Sequence, residues 1–117
     1  MKKIILSVII VLSYIISGYS LSENEKIQIL LTKIEGSNLQ FVRNGTTYNS
    51  KQARDHLEMK LNKAGGKIKT ADNFITYIAS KSFLTGEPYY IIHPDGKKVK
   101  AGTYLKQLLS DIEKNGK

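Results

Sequence analysis

The dipeptide Asn44-Gly45 interrupts a β-prone run, with LQFVR before it and TTY after it. Asparagine and glycine are the residues that most readily take positive φ. A two-residue turn whose twist suits a hairpin needs positive φ at both positions. The stretch therefore predicts a β-hairpin that sets Arg43 opposite Thr46, Val42 opposite Thr47 and Phe41 opposite Tyr48. Side chains alternate along a strand, so Phe41, Arg43 and Tyr48 share one face. Phe41 and Tyr48 form a cross-strand aromatic pair, with Arg43 beside them at the turn end.

Helical patterns flank this hairpin. Over 23–34, Ile27, Leu30, Leu31 and Ile34 recur at helical spacing. Ser22 with Glu25 makes a capping box at the start, and Gly36 ends the run. A second helix is expected over 51–63, capped by Ser50 and stopped by Gly65, with Ala53, Leu57, Leu61 and Ala64 as its apolar face. Lys51, Asp55, Glu58 and Asn62 take the opposite face. His56 and Lys60 lie four residues apart on one flank of the apolar stripe, so they are neighbours in space. Thr70 caps a third helix whose stripe is Ala71, Phe74, Ile75, Ile78 and Ala79. After the loop SFLTGEP, the segment YYIIHPDGKKVK predicts a second hairpin, with strands over 89–93 and 97–100. Leu105, Leu108, Leu109 and Ile112 mark a last helix over 104–114.

The order α-ββ-α-α-ββ-α indicates an α+β domain. Two hairpins supply one four-stranded antiparallel sheet, with about four helices covering one face. A shift of 51 positions lays Asn44-Gly45 on Asp95-Gly96, Leu57 on Leu108 and Leu61 on Ile112. Internal duplication and chance recurrence of a common hairpin-helix unit both fit that overlay.

The first twenty residues read differently from the rest. Lys2 and Lys3 precede an uncharged apolar run over 4–16, and Gly18 and Ser20 give a small-x-small cleavage pattern. This is the layout of a secretory signal peptide with cleavage near Ser20. The rival is an uncleaved anchor, for which the run is short against the roughly 20 residues of a span. On the first reading, residues 21–117 form a single domain that keeps no stable membrane span. Removing Lys2 and Lys3 lowers the net charge from +8 to +6. The chain contains no cysteine, so it enters an oxidising compartment stabilised by packing alone. Thiol catalysis and thiolate metal sites are excluded. The two histidines, His56 and His93, stand too far apart in sequence to suggest a dedicated zinc site, and no cofactor is called for. The sequon Asn44-Gly45-Thr46 has meaning only in a eukaryotic secretory route.

FVRNG, Tyr48, the A..HL..KL pattern over 53–61, IKTADNFITYIASKS and TGEPYYI occur here in one order. Together they resemble the YfeK-like family of small exported bacterial proteins carrying a domain of unknown function. The resemblance covers about 41–92. It implies a bacterial, periplasmic location and no particular activity. Ser82-Phe83 stands where the family pattern has two serines, and a bulky aromatic there alters any site the loop borders.

Candidate site residues are few. Arg43 can clamp a carboxylate, phosphate or sulfate, or can lie over Phe41 and Tyr48 as a packing group or pair with an acid of a nearby helix. His56 can serve as a base or ligand donor, or as a boundary histidine of the core. With Lys60 the two would form a small anion pocket if the second helix folds back on the hairpin. Tyr89 or Tyr90 can offer a platform to a sugar, or simply pack. Lys60, Lys63, Lys67, Lys69, Lys97, Lys98 and Lys100 can form a polyanion face or a solvated surface, and those of the second hairpin can guard a sheet edge.

No Ser or Cys nucleophile and no Asp orienter stands at a diagnostic spacing from His56. Export, positive charge and that gap lead to the expectation of a non-catalytic module. It would bind an envelope protein or an anionic envelope component, and no nucleic acid. The alternative is a hydrolase of an envelope polymer using His56, Arg43 and Lys60. A third possibility is an inhibitor or chaperone-like partner acting through an exposed sheet edge.

Overall fold

The computed structural model describes residues 20–115. Residues 1–19, where a signal peptide is expected, lie outside the described residues. The elements are α1 (Glu23–Gly36), β1 (Gln40–Arg43), β2 (Thr46–Tyr48), α2 (Ser50–Ala64), α3 (Ala71–Asn73, widening into a π-helical turn at Phe74–Ala79), β3 (Tyr90–Ile92), β4 (Lys98–Lys100) and α4 (Ala101–Asn115). A 3-10 turn at Gly65–Lys67 follows α2. The fold is α+β, in the order expected. Among the described residues, no helix is long and apolar enough to cross a membrane.

The Asn44-Gly45 hairpin forms as its turn chemistry requires, with φ of 51° and 80° at the two residues. The register is Arg43 with Thr46, Val42 with Thr47 and Phe41 with Tyr48. The two hairpins join through their first strands, so the antiparallel sheet runs β2-β1-β3-β4. Phe41 pairs with Ile91 and Ile91 with Val99. One row, Tyr48, Phe41, Ile91 and Val99, thus crosses the sheet on the face that meets the helices. Phe41 and Ile91 are buried with Leu30, Leu31, Ile34, Phe74, Ile75 and Leu105 in one core. Lys98 and Lys100 stand exposed on β4, an edge strand, where charge discourages further pairing.

Helix ends follow polar side chains closely. The Ser22–Glu25 capping box is present, with bonds of 3.1 Å and 2.8 Å. Helix α1 extends to Gly36, two residues past Ile34, and the left-handed residue that turns the chain is Asn38, φ 57°. Helix α2 is capped by Asn49 rather than Ser50, through a reciprocal box with Gln52. Ser50 is buried, and its hydroxyl donates to the Glu35 carbonyl at 2.9 Å. It satisfies the end of α1 instead of the start of its own helix.

Helix α4 begins at Ala101, three residues before the expected start. Ala101 N donates to Tyr89 O at 2.8 Å, and the chain passes from strand to helix without a loop. With the 51-residue shift, α2 and α4 coincide end to end, whereas α1 and α3 do not. Helix α3 buries all five residues of its expected stripe. It ends in a π turn in which the Ser80 hydroxyl donates to Ile75 O at 2.5 Å. Ion pairs add latches. Lys26 lies 2.9 Å from both Glu23 and Glu113, linking α1 to α4. Glu23 also accepts from Ala71 N at 2.9 Å, linking α1 to α3.

Gly102 lets the first turn of α4 press on Ser80. A Cβ there would lie 2.7 Å from Ser80 Oγ and 3.3 Å from Ser80 Cβ. Gly102→Ala is expected to cost about 1–3 kcal/mol in chemical denaturation, because the site is overpacked. Adding Ser80→Ala should recover part of that loss. A Gly102→Ala chain as stable as wild type would show that the approach is not tight.

Candidate functional site

A cavity of about 330 Å³ opens between the first hairpin, α2 and the start of α4. Strand β1 contributes Phe41, Val42 and Arg43, and β2 contributes Tyr48. The Asn49–Gln52 box starts α2 immediately after β2, and the helix then presents Gln52, Asp55 and His56 on one side, with Ala53 and Leu57 beside them. Spacings of three and four residues place these on adjoining strips of one helix face. Ala79, Tyr89, Ala101 and Leu105 complete the wall, which is mostly apolar.

Arg43 lies along Tyr48. Its Cζ is 5.1 Å from the ring centroid and its Nη2 donates to Tyr48 Oη at 3.0 Å. Of the contacts foreseen for Arg43, the one with Tyr48 is present. None of the ion pairs among the described residues includes this guanidinium. Among the described residues, its charge therefore has no carboxylate at ion-pair distance, and the side-chain acceptor it meets is Tyr48 Oη.

His56 sits edge-on to Tyr89, with ring centroids 6.4 Å apart. Its Nε2 is enclosed and makes no hydrogen bond. Burial first, then the charges of Arg43 and Lys60, hold the imidazole below its ordinary pKa. The ring is neutral at physiological pH, with one nitrogen a donor and the other an acceptor.

Lys60 departs from the expected triad. It does not line the cavity. Its ammonium donates to Ile78 O at 2.5 Å, Lys81 O at 3.3 Å and Tyr89 Oη at 2.9 Å. Those three acceptors use all three of its protons. Burial and the nearby Arg43 charge push its pKa down to about 8, so it stays protonated at neutral pH. Lys60 is a structural cation that closes the end of α3, where free carbonyls favour a positive group.

Tyr89 is buried, which raises its pKa and removes it as an open platform for a sugar. It forms the junction between the cavity wall and the Lys60 site. Tyr90, half-buried on the other side of β3, carries Lys98 above its ring at 4.6 Å. Among the described residues, no three of His, Cys, Asp and Glu gather as metal ligands would.

Sequence reasoning placed Arg43 and His56 together but missed the apolar chamber they border. It also missed a shallow cleft lined by Lys81, Lys100 and Lys106. These lysines come from a loop, a strand and a helix, and no sequence spacing joins them.

A family model of unknown function, DUF5329, matches residues 21–113. The chain belongs to this family. It is 36% identical over 92 residues to the uncharacterized protein YfeK of Salmonella typhimurium strain LT2, a match covering 76% of this chain and 77% of that protein. No solved structure matches it.

Within this DUF5329 chain, two substitutions separate brace from site. Lys60→Met is expected to cost about 1–3 kcal/mol, since three acceptors lose their donor. Arg43→Ala, which removes one bond and one ring contact, should cost less than about 1 kcal/mol. Thermal unfolding of both variants distinguishes these outcomes, and an equal loss would erase the distinction.

The histidine gives a pH signature. Its folded-state pKa lies below the unfolded value of about 6.5, so the unfolded chain takes up the proton first as pH falls. That contribution to stability is complete above pH 6.5 and is lost progressively below it. Melting temperature measured from pH 7 to pH 5 should fall less in His56→Gln than in wild type. Parallel curves would place the proton uptake elsewhere.

Proposed function

We propose that this chain is an exported, non-catalytic binding module of the bacterial envelope, and that its cavity takes a small amphipathic anion. The leader pattern and the net positive charge support the location. The cavity supports the ligand class. It stands at the small end of the range for ligand sites, with a mostly apolar wall interrupted by the polar groups of Arg43, Tyr48, Gln52, Asp55, His56 and Tyr89. The observation that carries the reading is that Arg43, which joins no ion pair among the described residues, and His56, whose enclosed Nε2 has no hydrogen-bond partner, line the same cavity. An anionic head would meet the guanidinium and an apolar body would displace water from Phe41, Leu57 and Leu105.

The hydrolase reading has less support. No serine, threonine or cysteine lines the cavity, and Lys60 is spent on α3 and Tyr89. Asp55, the acid nearest to His56 in sequence, lies 3.2 Å from Lys51 and 3.6 Å from Arg54 instead of orienting the imidazole.

Octanoate and octanol share a tail and differ in charge, which makes them suitable probes. In amide NMR titrations, octanoate should shift Phe41, His56, Leu57 and Leu105, while octanol binds at least about fivefold more weakly. Arg43→Ala should abolish the preference. Equal binding of the two would remove the anion from the proposal. Shifts confined to residues outside the cavity would remove the cavity.

A further inference from the structure

The loop over 82–88, between α3 and β3, is closed by its own bonds. Ser82 N donates to Glu87 O and Gly86 N to Ser82 O, each at 2.9 Å. Ser82 is buried, and its hydroxyl accepts from Thr85 N at 3.3 Å. Thr85 Oγ1 then donates to Asn44 Oδ1 at 2.9 Å, which ties the loop to the first hairpin turn. Gly86, at φ 74°, permits the reversal.

A loop secured at its base in this way still leaves two large apolar side chains in water. Phe83 is 89% exposed and Leu84 is 91% exposed. Lone exposed apolar residues are ordinary. Two adjacent ones on an internally bonded tip are held out by the backbone that carries them, and they form a protrusion rather than a groove.

The base of the loop is basic. Lys81 and Pro88 face each other across a β-bridge, and both line the shallow cleft that also includes Lys100 and Lys106. Hydroxyl-bearing Thr76 and Thr103 lie on the same lining, and no acid does. None of the ion pairs among the described residues involves these three lysines. Glu87, the acid of the loop, is not part of the cleft lining.

We propose that this loop and its lysine cleft form a contact for an anionic lipid surface. Phe83 and Leu84 enter the boundary between headgroups and acyl chains. Lys81, Lys100 and Lys106 face the phosphates. A protruding apolar pair beside uncompensated cations matches the chemistry of such a surface, where weak apolar insertion and electrostatic attraction act together. The contact shares no residue with the cavity wall, so it stands or falls apart from the ligand reading.

The chain has no tryptophan, so Phe83→Trp introduces a single local reporter. Mixed with vesicles of equal parts phosphatidylglycerol and phosphatidylcholine, the full-length variant should shift its emission to the blue. Pure phosphatidylcholine vesicles should leave it unchanged, and high salt should reverse the shift. A tryptophan at exposed Thr32 on α1 should not respond. Because each probe reports only its own surroundings, attachment through the leader segment cannot imitate the result. Replacing Lys81, Lys100 and Lys106 by glutamate in the Phe83→Trp chain should raise the lipid needed for half the shift at least about tenfold. Circular dichroism checks that the fold is kept. A blue shift of equal size on both vesicle types, or one that survives the lysine replacements, overturns the role of charge. No shift on either overturns the lipid contact and points to a protein partner for the apolar pair.

Discussion

The ammonium of Lys60 lies among the carbonyls of Ile78 and Lys81 and the hydroxyl of Tyr89, and much of the surrounding geometry depends on it. A helix end leaves carbonyls without partners, and the half-buried Lys60 stands beside these. An ammonium without acceptors would be costly at that depth. With three of them, each group satisfies the other. The arrangement fixes the distance from α2 to the π turn and to the strand that follows. Ala79 and Tyr89, which border the cavity, are immediate neighbours of this contact or part of it. The chamber therefore has a rigid back wall, and Arg43 and His56 face it from the hairpin and from α2.

Polar side chains reaching backbone groups far along the chain perform much of the joining that a cysteine-free domain must do without disulfides. Ser50 reaches Glu35 O, Lys60 reaches Ile78 O, and Glu23 accepts from Ala71 N. Each such bond closes a loop between elements while removing an orphan carbonyl or amide from a helix end. Arg54 adds a surface network with Glu35 and Glu58 at 3.6 Å and 3.3 Å. Exposed pairs of that kind contribute little individually, so the backbone-directed bonds carry more of the specificity.

The hairpin register was legible because Asn44-Gly45 admits few conformations, and the helical stripes were legible because burial follows their period. The ends of elements were less so. Ser50 and Asn49 are both good caps, and only the nearby Glu35 carbonyl decides that Ser50 turns away. The start of α4 is set by Tyr89 O and by contact with Ser80, neither of which is near in sequence. The π turn depends on a serine hydroxyl reaching five residues back. For the site, i to i+4 spacing correctly made His56 and Lys60 neighbours. It could not reveal that the long lysine side chain reaches across to α3, leaving Arg43 and His56 on the cavity wall.

The strand order β2-β1-β3-β4 also constrains when the sheet can exist. Its two central strands lie nearly fifty residues apart, and each is bonded locally on one side only. A chain emerging from its N-terminus onward holds β1 with one open edge through the whole of α2 and α3. That edge stays available to any passing strand until residues 90–92 arrive to cover it. Isolated two-stranded hairpins are marginal in water, so the first half has no finished sheet to wait in. The fold is completed late, by its C-terminal third, and the interval before completion is the period of greatest exposure to mispairing.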